Sequence, residues 1–480
     1  MRAGTAPVTG FGTMNRAITL VIAPNEDGFG TSAWVVRLVK ELVRQGQGSI
    51  SLIKVVVATD KLQGFHKDKY LDLPVEIIRL EGITKRIELV KKAGSLDIPG
   101  SIEQAILPYA ESRAEYALAL RKQNVFDDVD VVIDLGVPQL VRAAYQVDLS
   151  RMRASEKRLV SVTILDHAWS LSLRRIAFSN TAEDTRKQIV ENAITNIEND
   201  EALTQQAIVF GEPISPLDYH GHWRKLLGHF PMVIPGSLGG PLSTLAYAND
   251  PNLAQVRSEM ETDGQCPQEA YEKARQYARR ILGISNDLPT LFVSGGGTST
   301  WDEVLDQMID DYESDEPNYN VVIYSPVEAK RRGASLKKRC GVEVGIYGRN
   351  ERLVFIGQIS ADTHHILFPA FDLVLTRAGG GTVNDALACA VPLILAEEPG
   401  MWQVEQIRQS CLRMQIAEGV TLGELRSCPR VHVESQDGHL RKMDEQRNKI
   451  LLIPNHSEIW VVQELLRMIK SDSTSSTTCW

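Results

Sequence analysis

A chain of 480 residues is longer than one compact core usually serves, so two domains with separate cores are expected. Apolar residues at 43% and charged ones at 24% exclude a disordered chain, and a net charge of -9 argues against nucleic acid, whose phosphates need a concentrated positive surface. The six cysteines (Cys266, Cys340, Cys389, Cys411, Cys428, Cys479) form no CxxC pair or zinc spacing, which suits a reducing, cytoplasmic setting, and no apolar run nears the roughly 18 residues of a membrane span.

In chain order, residues 1–14 and 471–480 have compositions expected to stay disordered, and the start lacks a secretory signal pattern. "AITLVIAP" (17–24) predicts a strand, "NEDGFG" (25–30) a glycine loop, "TSAWVVRLVKELVRQG" (31–46) an amphipathic helix and "SLIKVVVATD" (51–60) a second strand. This βαβ order is the unit of an open parallel sheet. "DVDVVIDLGVPQ" (128–139) and "RLVSVTILDHAW" (158–169) read as further buried strands with polar residues at their C-terminal ends, where ligands gather in such sheets.

The Pro- and Gly-rich stretch 210–243 is expected to close the first domain, giving boundaries of 15–235, a linker at 236–266, a second domain at 267–455 and an amphipathic helix at 456–470. Within it, "HGH" (220–222) has the spacing of a metal pair on a strand but no third ligand nearby, and no metal site is expected. The second domain repeats the pattern. A helix at 267–284 is followed by strand "TLFVSGGG" (290–297), a helix from about 300, and strands at 320–326, 352–357 and 371–377. Then come a helix at 382–390, a strand at 392–398 and a helix opening at 399–409. The basic run "AKRRGASLKKR" (329–339) reads as a solvated helix face and loop. The fold class is therefore α/β, two Rossmann-like doubly wound domains across a cleft.

Three glycines, Gly379, Gly380 and Gly381, stand between strand "FDLVLTR" and helix "TVNDALACA". Unpaired N–H groups and the helix dipole make such a junction attractive to a phosphate, and glycines let it approach. Arg377 and Thr382 flank the turn, and Asp385 sits one helical turn in, where a carboxylate can accept hydrogen bonds from a ribose. Gln403, Glu405, Gln406 and Gln409 suit sugar hydroxyls.

The segment "TRAGGGTVNDALACAVPLIL…WQVEQIRQ" resembles the donor-binding signature of GT-B glycosyltransferases, most closely the branch of the peptidoglycan N-acetylglucosaminyltransferase and the antibiotic glycosyltransferases. The resemblance covers roughly 280–425. It implies a nucleotide-sugar-binding second domain and an acceptor-binding first domain. Gly379, Gly380, Gly381 and Thr382 would hold the diphosphate, Asp385 the ribose (relatives usually have Glu), and Glu405 and Gln406 the sugar. Gly295, Gly296, Gly297 and Thr298 of "LFVSGGGTST" would line the same cleft. "NEDGFGTSAW" is similar to the "HGFGH" loop of these enzymes, but Asp27 and Thr31 replace its two histidines.

An inverting transfer needs a general base and stabilisation of the leaving diphosphate. The helix terminus and Arg377 can supply the second without a metal, and no DxD-like pair is placed to chelate one. Asp27 is the first candidate base and His167 the second, with Asp134 placed to orient either. No cofactor is expected beyond the nucleotide-sugar co-substrate; sugar, nucleotide base, acceptor, oligomeric state and any peripheral membrane contact carry no readable signature. A nucleotide-sugar 2-epimerase-like isomerase and a non-catalytic nucleotide-sugar-binding protein are the alternatives.

Overall fold

The structure is a computed structural model. It describes residues 17–25, 30–46, 48–92, 95–154, 158–165, 168–178, 184–239, 267–295, 305–306, 308–310, 319–339, 342–347, 352–357, 366–398, 400–421, 423–424 and 439–474.

The first sheet begins with β1 (Ile18–Pro24), α1 (Gly30–Gly46), β2 (Ile50–Val57), α2 (Asp60–His66) and β3 (Val75–Arg79). A small ribbon, β4 (Lys91–Lys92) and β5 (Ser95–Leu96), precedes α3 (Tyr109–Lys122), β6 (Val131–Leu135), α4 (Pro138–Arg153) and β7 (Val160–Leu165). Then follow α5 (Trp169–Phe178), α6 (Asp184–Glu201), β8 (Gln206–Phe210), α7 (Leu217–Leu227) and β9 (Met232–Ile234). The seven strands stand in the order β3-β2-β1-β6-β7-β8-β9, and every pairing is parallel. All of β1 is buried, as a strand covered on both faces requires. Its alternation divides the core: Leu20 and Ile22 face the cluster with α1, whereas Val21 and Ala23 face the one with α3 and α4.

The second sheet has eight strands. After α8 (Pro267–Leu282) come β10 (Thr290–Ser294), β11 (Asn320–Tyr324), α9 (Pro326–Arg331), β12 (Lys337–Arg339), β13 (Val342–Tyr347) and β14 (Leu353–Ile356). The rest is β15 (Leu373–Arg377), α10 (Gly380–Ala388), β16 (Leu393–Ala396), α11 (Trp402–Arg413), β17 (Ala417–Val420), α12 (His439–Ile450) and α13 (Ser457–Thr474). The order is β12-β13-β14-β11-β10-β15-β16-β17. The pairings of β12 with β13 and of β13 with β14 are antiparallel. Leu291 and Val293 point to one face with Leu373 and Leu375, and Phe292 and Val374 to the other.

Four expectations change. The basic run 329–339 is not helix and loop alone: Lys337–Arg339 is an edge strand, where exposed lysines discourage further pairing. "HGH" lies on helix α7, not on a strand, because Tyr219, His222 and Trp223 recur at helical spacing on its buried face. The helix after the three glycines starts at Gly380 rather than Thr382, so Gly380 and Gly381 form its first turn. Residues 471–474 belong to α13 instead of a disordered tail.

Among the described residues, no helix is long and apolar enough to cross a membrane.

Candidate functional site

In both sheets the parallel strands deliver their C-terminal ends to one edge. Gly379 caps α10 with φ −70° and ψ 131°, conformations open to any residue, and as a glycine it offers no side-chain acceptor to the N–H groups of the first turn. None of Gly379, Gly380 and Gly381 has a positive φ. Among the described residues, a Cβ built on Gly379 would meet no atom within 4 Å, and one on Gly381 would meet only the Cα of Gly30, at 3.7 Å, an ordinary contact. Neither the backbone nor the packing of the described residues therefore demands glycine at 379 or 381. Gly30 is the first residue of α1, and a Cβ there would meet nothing within 4 Å either. Two helix N-termini, each opening on glycine, thus stand against each other.

Around this junction the proposed residues are already engaged with the protein. Arg377, at the end of β15, donates from Nη1 to Glu398 Oε1 at 3.2 Å, and both side chains are largely buried. Thr376 ties the ends of two neighbouring strands by donating to the Ser294 carbonyl at 2.8 Å, beside the buried Gly295. Thr382 is half-buried in the first turn of α10. Asp385 is turned inward, where Oδ1 receives Arg37 Nη2 at 3.3 Å and Asn384 Nδ2 at 3.3 Å. Gln403, Glu405 and Gln406 sit half-buried in the first turns of α11, where Glu405 accepts from Arg408 at 3.0 Å and Gln409 at 2.7 Å. Trp402, which opens α11, packs on Tyr219 with ring centroids 5.4 Å apart and lies under the Arg175 guanidinium. Asp27, His167, Gly296, Gly297 and Thr298 lie outside the described residues.

Asp134 is buried at the end of β6. Its Oδ1 receives the Val137 N–H at 2.5 Å and its Oδ2 the Thr163 hydroxyl at 3.2 Å. Gly136, at φ 89°, makes the turn that brings Val137 back to the carboxylate. Burial pushes the carboxyl up to about 7, only partly opposed by these donors. Beside it, Glu201 accepts the Trp169 and Ser170 N–H groups at the start of α5, and burial raises it to about 7 as well. Ser170 bridges Glu201 and His222, its hydroxyl bonded to the carboxylate and 2.9 Å from Nε2. The serine stands between acid and imidazole, with its proton directed to Glu201. A nucleophilic serine instead needs the imidazole as its acceptor. This cluster therefore builds the start of α5, the helix that follows Asp166 and His167. Sequence reasoning missed it because its members are 31 and 52 positions apart. It also missed Arg37, whose one signal was a charge within the apolar stripe "WVVRLV".

A carboxyl whose folded value stands above its ordinary 3.8 binds more protons in the folded than in the unfolded chain, so its contribution to stability falls as pH rises from about 4 to 7. Asp134→Asn keeps an acceptor for Val137 and removes that charge. In urea unfolding at pH 5 and pH 8, the wild type is expected to lose a few kcal/mol more than the variant across this interval; parallel losses would contradict the assignment.

The two halves of "HGH" do not converge: His220 Nε2 contacts the Phe210 carbonyl at 2.9 Å, while His222 faces Ser170. Among the described residues, no three His, Cys, Asp or Glu side chains are grouped to hold a metal ion.

No known protein-family profile matches the chain. A stretch of 142 residues is 30% identical to the UDP-N-acetylglucosamine–N-acetylmuramyl-(pentapeptide) pyrophosphoryl-undecaprenol N-acetylglucosamine transferase of Acetivibrio thermocellus, covering 27% of this chain and 33% of that protein. The chain thus spans about a third of the length of the curated relative it matches. The calicheamicin glycosyltransferase CalG4 superposes with a TM-score of 0.57 over 97% of this chain and 100% of its own, at 15% identity. UGT2 of Phytolacca americana, solved with UDP-2-fluoro-glucose and pterostilbene, gives 0.54 over 95% and 100%, at 13% identity. Seven parallel strands, eight further strands with a parallel centre, and superposition along nearly the whole chain lead to one conclusion: this protein has the GT-B fold, two Rossmann-like halves facing across a cleft.

Proposed function

We propose that the protein is a glycosyltransferase that moves a sugar from a nucleoside diphosphate, UDP or dTDP, to a small-molecule or lipid-linked acceptor held by the N-terminal half, with inversion and without a metal. The observation that carries this reading is the glycine-built N-terminus of α10: among the described residues no packing contact needs glycine at 379 or 381, whereas an anion approaching the first-turn N–H groups does. The abutting N-terminus of α1 adds a second positive dipole end to the same place. Arg377 is already balanced by Glu398, so the backbone of the two helix starts bears most of the leaving-group charge. Gln403, Glu405 and Gln406 on α11 are the proposed sugar contacts. Gly295 follows β10 at this edge, and Gly296, Gly297 and Thr298, next in the sequence, are proposed to line the donor side with it.

Asp134 is walled in by its own hydrogen bonds, so its role is to hold the turn after β6. That leaves Asp27 and His167 as candidate bases. Asp27→Asn is expected to lower the transfer rate by about 10²-fold or more with donor affinity kept; an unchanged rate would transfer the role to His167. The reading as a whole is tested by a thermal-shift screen against UDP-, dTDP- and GDP-sugars, where a bound nucleotide raises the melting temperature. Formation of an epimer from the nucleotide sugar alone would identify an isomerase instead.

A further inference from the structure

The segment that leaves the first sheet after β9 is held on two sides. Asn384, fully buried in α10, reads the backbone of Leu238 with both ends of its amide: Oδ1 accepts the Leu238 N–H at 2.8 Å and Nδ2 donates to the Leu238 carbonyl at 2.9 Å. Arg37, from α1, donates to the same carbonyl and to Asp385 Oδ1, each at 3.3 Å. From the other side, Ser237 N–H donates to the Pro454 carbonyl at 3.0 Å and Ser457 N–H to the Ser237 carbonyl at 3.1 Å. His456 N–H donates to the Gly239 carbonyl at 3.0 Å, while Glu458 Oε2 accepts the Gly239 N–H at 2.7 Å. Gly236 passes so close that a Cβ would lie 2.0 Å from the Pro454 carbonyl oxygen, so only glycine fits.

We propose that Arg37, Asn384 and Asp385 are positioning residues that fix the N-terminus of α10 opposite that of α1 by clamping both helices to the backbone at Leu238. The inference rests on the reading of that terminus as the diphosphate site. Asn384 and Asp385 lie in the second turn of α10, so the first turn moves with them as a rigid unit. A buried ion pair contributes little net stability but fixes geometry, because breaking it leaves an uncompensated charge. An error of about 1 Å in such a constellation can cost roughly 10²-fold in rate. In this arrangement Asp385 serves the clamp through Oδ1.

The test measures hydrogen exchange, calorimetric binding of UDP and 2′-deoxy-UDP, and transfer kinetics for Arg37→Gln, Arg37→Lys, Asn384→Ala and Asp385→Asn. Faster exchange at 236–239 and in α10 is expected for Arg37→Gln, Asn384→Ala and Asp385→Asn. Each should bind both nucleotides about 10-fold or more weaker by the same factor, with kcat reduced beyond the change in KM. Arg37→Lys, the milder change should Arg37→Gln not fold, is expected to restore part of each loss. Wild-type exchange in the variants, or faster exchange with unaltered affinity, would overturn the proposal. So would an Asp385→Asn loss confined to UDP, which marks a direct ribose contact. If the wild type binds no nucleoside diphosphate, the donor-site reading falls while the exchange data still decide whether the clamp fixes α10.

Discussion

Gly381→Val is expected to leave a folded protein that no longer binds a nucleoside diphosphate, with affinity reduced about 10²-fold or more. The position is helical, its φ is not positive, and its Cβ would have only an ordinary contact with Gly30. In a helix, valine is if anything slightly more favourable than glycine, so unfolding free energy should stay within about 1 kcal/mol of the wild type. The added methyl groups instead fill the approach to the first-turn N–H groups. Hydrogen bonds to a charged ligand contribute about 1.5–3 kcal/mol each, so losing two accounts for the expected factor. Calorimetry with UDP and dTDP, paired with denaturant unfolding, separates the outcomes. Retained affinity would mean that the glycines do not admit an anion, and collapse of the fold would mean that they serve packing after all.

The second large effect lies at the opposite end of the same strands. Arg279, 1% exposed, donates to five acceptors: the carbonyls of Ala370, Ser285, Asn286 and Leu288, and Asp372 Oδ2 at 2.8 Å. Asp372 also receives Arg275 at 2.6 Å and the Thr290 N–H at 2.8 Å. The cluster therefore pins the entry points of β10 and β15, the strands whose other ends carry Gly295 and the glycine turn. Arg279→Ala leaves several buried acceptors unmatched and should destabilise the protein by about 3–5 kcal/mol, a large share of the 5–15 kcal/mol typical of a folded domain. Urea unfolding of the variant and the wild type, followed by far-ultraviolet circular dichroism, would read this directly. A shift under about 1 kcal/mol would show that the neighbouring Arg275 suffices to hold Asp372.

The strands of both sheet centres were legible in the sequence, because a strand covered on both faces must be an almost unbroken apolar run such as "AITLVIAP" or "LFVS". The glycine turn is legible too, but the sequence pattern starts the helix at Thr382, two residues after its start at Gly380. Glycine is a poor helix former, so local propensity favoured Thr382, while the hydrogen bond from the Val383 N–H to the Gly379 carbonyl at 3.0 Å begins the helix earlier. Helix α7 was hidden by Gly221 and the surrounding prolines, and its identity emerges only through Tyr219 and Trp223 packing in the core. Least visible were the polar partnerships. Arg37 and Asp385 are 348 positions apart and Arg279 and Asp372 are 93 apart, and no local pattern signals such pairings. For that reason the motif alone marks Asp385 as a ligand contact and gives no sign of the bonds from Arg37 and Asn384 to its Oδ1.

The packing of α13 against α1 has a bearing on how the molecule is made. Val461, Val462, Leu465 and Leu466 of α13 complete an apolar cluster that α1 and β1 opened some 440 positions earlier. The Pro454–Glu458 segment that clamps 236–239 is synthesised at the same late moment. During translation, therefore, the residues of both sheets are made before the contacts of Pro454–Glu458 and α13 can be added. The bonds of Arg37 and Asn384 at Leu238 need no residue of α13, whereas those of Pro454–Glu458 are added last. The last-made helix of the chain therefore closes a core that its first strand and first helix begin.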